Sequence, residues 1–168
     1  MTKRHEGRRT FLVGTTLAAA SAALVSKASA ESGRLRFVNP STMWNATARG
    51  FTQLVQVTGP ARTIYLSGQL GITPDGKFAG TSGDFRAQAT QCFENIKEGL
   101  AAADANFEHV VKLTIYFIDM ADLPAFFEVR DRYVNTKAPP ASTAVQIDKL
   151  ARDGALCEIE AIAVVPQT

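Results

Sequence analysis

The chain has 168 residues, 46% hydrophobic and 20% charged, which is enough for one core and too little for two comfortable domains. Its net charge of +2 is unevenly placed: Lys3, Arg4, Arg8, Arg9 and Lys27 against Glu6 alone give residues 1–30 a charge of +4, leaving −2 for the remainder. That slightly acidic remainder offers no electrostatic footprint for nucleic acid or anionic lipid, and two histidines, His5 and His109, exclude most histidine-rich metal sites.

In chain order, Arg8-Arg9-Thr10-Phe11-Leu12 opens an Ala-rich apolar run from Phe11 to Val25, which closes on Lys27-Ala28-Ser29-Ala30. A charged start, a short apolar stretch and an Ala-x-Ala cut site read as an export signal over residues 1–30. The paired arginines followed by Phe-Leu resemble a twin-arginine signal, a route for proteins already folded. A membrane anchor is the competing reading, but 15 residues fall short of the roughly 20 that cross a bilayer as a helix. The expected location is periplasmic or secreted, with no stable membrane association after the signal is removed. Cys92 and Cys157 both fall on apolar faces and are read as buried free thiols rather than a bridge.

Residues 31–168 are expected to form a single domain of alternating strands and helices. Arg34–Val38 reads as a first strand, and Thr52–Val57 and Thr63–Ser67 as two more, separated by the turn signal Gly59-Pro60. Pro74-Asp75-Gly76 is a second turn. Asp84 caps a helix expected from about Phe85 to about Ala103, with Phe85, Ala89, Phe93, Ile96 and Leu100 on one face. A strand over Val110–Ile118 follows. Asp122 and Pro124 then open a second helix with Phe126, Val129 and Tyr133 on its apolar face. Pro139-Pro140 leads to the last strands, Thr143–Ile147 and Leu156–Val165.

Alternation along a strand sorts its side chains onto two faces. Val111, Leu113, Ile115 and Phe117, then Val145 and Ile147, then Cys157, Ile159, Ala161 and Ala163 are expected to pack under the helices. Opposite them stand Lys112, Thr114 and Tyr116, then Ser142, Ala144 and Gln146, then Glu158, Glu160, Ile162 and Val164. That second face is either open to solvent or, as we favour, a subunit interface, because two helices leave it without a layer of its own. Lys112 is the candidate partner for the two glutamates on closing.

Ser67-Gly68-Gln69, Asn95, Val111-Lys112, Pro140-Ala141 and Glu158-Ile159-Glu160-Ala161-Ile162-Ala163, in this order over residues 34–166, resemble the Rid (YjgF-like) family of reactive-intermediate deaminases. The resemblance implies an α+β, chorismate-mutase-like fold with a six-stranded mixed sheet, two helices on one face and assembly as a homotrimer. It also implies clefts between subunits that hydrolyse enamines and imines derived from amino acids without a cofactor. Carried over by position, the glutamate of the last strand is Glu158, the early aromatic residue (usually tyrosine) is Phe51, and the pocket-lining Ser-Gly is Ser67 and Gly68. The family arginine that directly follows Pro-Ala is here Ser142.

The chemistry asks for a guanidinium to hold a carboxylate and a carboxyl group to move protons. Glu158 is expected to be the catalytic residue; otherwise it is a structural carboxylate tied to a neighbouring strand. Phe51, Ser67, Gly68 and Ser142 are expected to bind substrate. Arg130 either replaces the missing arginine or is a solvated helix charge. Arg49 and Arg152 have weaker cases. The partners expected are a small-molecule ligand and two further copies of the chain, with no metal, no cofactor and no nucleic acid. The alternative function is a non-catalytic, metabolite-binding trimer in the periplasm.

Overall fold

A computed structural model describes residues 32–44 and 46–168. The export-signal reading of residues 1–30 lies outside the described residues. Among these, no helix is long and apolar enough to cross a membrane.

The elements run β1 (Arg34–Val38), β2 (Leu54–Thr58), β3 (Ala61–Leu70), α1 (Phe85–Ala101), β4 (Val110–Phe117), α2 (Leu123–Arg130), β5 (Ala141–Gln146) and β6 (Cys157–Pro166). This is the expected α+β order of six strands and two helices. The strands fall into two sheets rather than one. β1 and β2 pair as an antiparallel ribbon, and the other four form a mixed sheet in the order β3-β6-β4-β5, with only β4 and β5 parallel.

α1 starts where Asp84 accepts a hydrogen bond from the Ala87 N–H, at 3.0 Å. Its buried residues, among them Phe85, Ala89, Cys92, Phe93, Ile96 and Leu100, form the expected stripe. That stripe meets Leu113, Ile115 and Phe117 of β4 and Cys157, Ile159, Ala161 and Ala163 of β6 in one core. Cys92 and Cys157 are buried free thiols with sulfurs 3.9 Å apart. α2 ends at Arg130, so Tyr133 lies just beyond it, yet its ring still stacks on Phe93 at 4.9 Å.

One assignment of faces is overturned. In the parallel pairing of β4 with β5, Ser142 lies opposite Leu113 and Ala144 opposite Ile115, so Ser142, Ala144 and Gln146 point to the helix side. Val145 lies opposite Tyr116 on the other side and is 37% exposed. Hydrophobicity misled here because β5 is an edge strand: α1 packs on β3 and β6, α2 packs on α1, and a pocket lies between α2 and the helix side of β5. That ground is a pocket rather than core, so small and polar residues face it.

Two bulges shape the sheet. Between Leu66 and Gln69, β3 carries one residue more than β6, at Ser67-Gly68. Between Val110 and Lys112 the same happens in β4, and Val110 and Val111 are consequently both buried.

Candidate functional site

The residues singled out in the sequence gather in two places. The first is a pocket of about 320 Å³ at the β5 edge, lined among others by Trp44, Arg49, Phe51, Phe127, Arg130 and Ser142. Phe51 is brought to Ser142 by its neighbour. Thr52 forms an isolated parallel bridge with Ala141, its N–H donates to the Pro140 carbonyl at 3.3 Å, and its Oγ1 donates to the Pro139 carbonyl at 2.6 Å. Thr52 is 2% exposed. Thr52→Val leaves a buried carbonyl without its donor, which costs about 1–3 kcal/mol. The expected result is a thermal midpoint lower by about 3–10 °C together with weaker ligand binding, measured by scanning calorimetry and titration.

Arg130, the last residue of α2, is not a solvated charge. It is 4% exposed, its Nε and Nη2 donate to Asp131 Oδ1 at 2.9 and 2.6 Å, and its guanidinium carbon lies 4.7 Å from the centre of the Phe127 ring. Nη1 donates to no described residue. Gly50, at φ +76°, lies against this guanidinium, and a Cβ there would overlap Nη2. Together Arg49, Arg130 and Asp131 leave one uncompensated positive charge in an otherwise aromatic and apolar site. Arg152 is elsewhere, stacked on Phe78 at 5.0 Å and bonded to the Gly76 carbonyl at 2.8 Å.

The second place is the opposite face of the sheet. Glu158 lies across from Tyr116 on β4 and Leu70 on β3. Its carboxylate occupies the space over Gly68 that a Cβ would fill, so the Ser67-Gly68 bulge makes room for it. Burial, and then the negative charge of Glu160, raise the Glu158 carboxyl above its usual range. Glu160 is tied instead to the Tyr116 hydroxyl, which donates to it at 3.2 Å. Within one protomer Lys112 forms no ion pair with either glutamate: its ammonium donates to Thr143 Oγ1 and to the Leu113 carbonyl, both at 2.8 Å, and burial lowers its pKa. This face also leaves Tyr65 78% exposed.

Glu158 and Ser142 therefore do not share a face, contrary to expectation. Phe51, Arg130 and Ser142 come together, Ser67, Gly68 and Glu158 come together, and within one protomer the sheet separates the two groups. Trp44, Gly50, Thr52 and Phe127 belong to the first group and were not read as site residues. Trp44, the chain's single tryptophan, is 63% exposed and lies 6.2 Å from Phe51 ring to ring. A lone tryptophan just before the early aromatic position was the available signal. A broader hollow of about 730 Å³ beside Glu94, Lys97 and Tyr133 contains none of these residues. Within it Glu94 is already engaged, accepting from Tyr133 at 2.7 Å and from Lys97 at 3.2 Å.

Comparison with known proteins agrees with this architecture. The profile of a family described as "Endoribonuclease L-PSP" matches residues 45–165. A 2-iminobutanoate/2-iminopropanoate deaminase of Mus musculus is 38% identical over 131 residues, 77% of this chain and 92% of that protein. Protein DfrA of Myxococcus xanthus is 43% identical over 114 residues, 68% of this chain and 84% of its own. Among solved structures, YyfB of Yersinia pestis, described as a conserved Rid protein of unknown function, superposes with a TM-score of 0.68 at 31% identity, covering 77% of this chain and 97% of that one. The chain belongs to the Rid (YjgF-like) family, the one described as Endoribonuclease L-PSP.

Proposed function

We propose that the protein hydrolyses C=N bonds of imines and enamines, releasing ammonia, in clefts between the subunits of a homotrimer. The observation that carries this reading is the pair of open half-sites on opposite faces of one sheet. One offers a cationic, aromatic pocket without an acid–base group. The other offers a carboxyl of raised pKa, Glu158, that lies outside the hollow of about 230 Å³ on its own face. Each supplies what the other lacks, and only a second copy of the chain can bring them together. Relatives named as 2-iminobutanoate/2-iminopropanoate deaminases support the reaction class.

In such a cleft, the oxygen of water adds to the imine carbon while Glu158 takes a proton from it. The nitrogen gains that proton, giving a carbinolamine. The C–N bond then breaks, the hydroxyl proton is transferred to the departing nitrogen, and ammonia and a carbonyl compound leave. A carboxyl whose pKa lies nearer neutrality than usual is better suited to both directions of this transfer. Arg130 takes the place in the pocket that the family arginine holds from position 142, with Ser142 adding a hydroxyl. Export by the segment 1–30 is part of the same proposal, and fractionation of cells carrying the full-length chain tests it.

Ser142 favours a second reading, a trimer that binds a metabolite without turning it over. Ammonia release from imines generated in situ decides between them, with sedimentation as the check on assembly. Turnover by a trimer supports the hydrolase. A lone protomer in dilute solution rejects the composite cleft. A trimer that binds 2-keto acids without releasing ammonia from any imine supports the second reading. Ser142→Arg is expected to raise kcat/KM for 2-iminopropanoate by about fivefold to thirtyfold, since a charge-assisted hydrogen bond exceeds a neutral one by about 1–2 kcal/mol. RNA cleavage is not proposed, because residues 31–168 carry a net charge of −2 and no basic stripe.

A further inference from the structure

We infer that the pocket at the β5 edge selects 2-imino acids with a large apolar or aromatic side chain, whose carboxylate is held by Arg130 and whose side chain lies against Trp44, Phe51 and Phe127. The inference rests on the hydrolase reading for the word imino; the shape and charge of the pocket carry the rest.

Size comes first. A volume of about 320 Å³ is at the small end of the roughly 300–1,000 Å³ usual for small-molecule sites. That suits one amino-acid-sized ligand and excludes a nucleotide or peptide. Charge comes second. Among the described residues the lining contains two guanidiniums and no carboxylate, and the one acid attached to it, Asp131, occupies only the Nε and Nη2 edge of Arg130. One anionic group on the ligand matches the remaining positive charge. The parent amino acid would bring an α-ammonium close to these two guanidiniums, a repulsion that a neutral imine nitrogen or a keto oxygen avoids.

The walls are the third observation. Trp44, Phe51, Phe126 and Phe127 place four aromatic rings around this small volume, with Ile115 and Leu123 at its base. Trp44 is too exposed to be serving the core, and its ring is tilted by 59° against Phe51, leaving an open aromatic corner. A methyl or ethyl side chain covers little of such a corner, whereas a phenyl, indolyl or isobutyl group fills it. The arginine itself is fixed in advance: Gly50 leaves room for the guanidinium, Phe127 lies under it and Asp131 orients it. A carboxylate that binds Nη1 finds a donor that no described residue uses.

The test uses the full trimeric protein and two readouts. The first is ammonia release from the imino acids made in situ by an amino-acid oxidase from phenylalanine, leucine and alanine. The second is calorimetric binding of phenylpyruvate and pyruvate to the Glu158→Gln protein, which does not depend on turnover. The expected result is kcat/KM at least tenfold higher for the phenylalanine-derived imine than for the alanine-derived one, with phenylpyruvate binding at least tenfold tighter than pyruvate. Trp44→Ala should shrink that ratio about tenfold, and Arg130→Lys, which loses the planar fork, should weaken both keto acids by about tenfold or more. Equal binding of the two keto acids, or a preference for pyruvate, overturns the inference even if imines are hydrolysed. Selective binding of phenylpyruvate with no ammonia from any imine upholds the pocket's selectivity and overturns the hydrolase.

Discussion

Glu158→Gln should lower kcat for imine hydrolysis by about 10²–10⁴-fold, the usual contribution of a positioned acid–base group, while ligand affinity stays within a few fold. The affinity holds because the groups argued to hold the ligand, Arg130 and the aromatic walls, are unchanged, and glutamine keeps the size of the side chain it replaces. The same substitution should make the protein more stable at neutral pH. The Glu158 carboxyl is raised by burial and by Glu160, so the folded chain holds this proton more tightly than the unfolded chain does. Its contribution favours folding below the ordinary carboxylate range and is lost as pH rises through the raised value. Above that, the fold carries a partly buried anion beside another anion. Glutamine is neutral throughout. The variant's thermal midpoint should therefore exceed that of the parent at pH 7, and the difference should vanish at about pH 3, below the usual carboxylate range. Scanning calorimetry at the two pH values, beside an ammonia assay, checks both halves. Unchanged turnover removes Glu158 from the chemistry. A loss of stability at pH 7 means that its carboxylate makes a structural bond instead.

The family and the fold were more legible in the sequence than the candidate site. The helices were legible because their stripes are strict: Phe85, Ala89, Phe93, Ile96 and Leu100 recur at helical spacing, and Asp84 marks the start. β6 and the core side of β4 were legible because Cys157, Ile159, Ala161 and Ala163, and Leu113, Ile115 and Phe117, alternate cleanly. β5 was not. Its alternation is as regular, but burial there is set by what lies beyond the strand, and nothing local says that a pocket separates it from α2. Taking Val145 for core turned Ser142 to the wrong side and joined it to Glu158.

The Ser67-Gly68 bulge was invisible for a related reason. A single extra residue follows from the register with β6, a long-range fact. Arg130 shows the limit in the other direction. A cation at the end of a helix is usually solvated, and only the packing of Gly50 and Phe127 around it makes it a buried, oriented donor. Thr52 completes the case: a polar residue in a β-rich run was taken as the start of a strand, whereas it joins the early aromatic segment to β5.

Phe126→Ala should give the largest loss of stability and should carry the site with it. α2 has eight residues, too few to stand as a helix without tertiary support. Phe126 is its main anchor: 1% exposed, with its ring edge-on to Phe117 of β4 at 5.3 Å and against Phe93 of α1 at 5.9 Å. Truncating a buried phenylalanine costs about 3–5 kcal/mol, a large share of the roughly 5–15 kcal/mol that holds a domain together. A fall in thermal midpoint of about 10–15 °C is expected. Because Phe126 also lines the pocket and α2 ends in Arg130, the loss should be felt in binding beyond the change in folded fraction. Phe127 and Arg130 then leave their places together, and affinity for 2-keto acids should drop at temperatures where the variant is still folded. Phe126→Leu, which keeps most of the volume, should lose less of both. If Phe126→Ala lowers the midpoint but leaves affinity at the parent's value well below the transition, Arg130 is held by Asp131 and Gly50 alone, and the coupling of α2 to the core has no part in shaping the pocket.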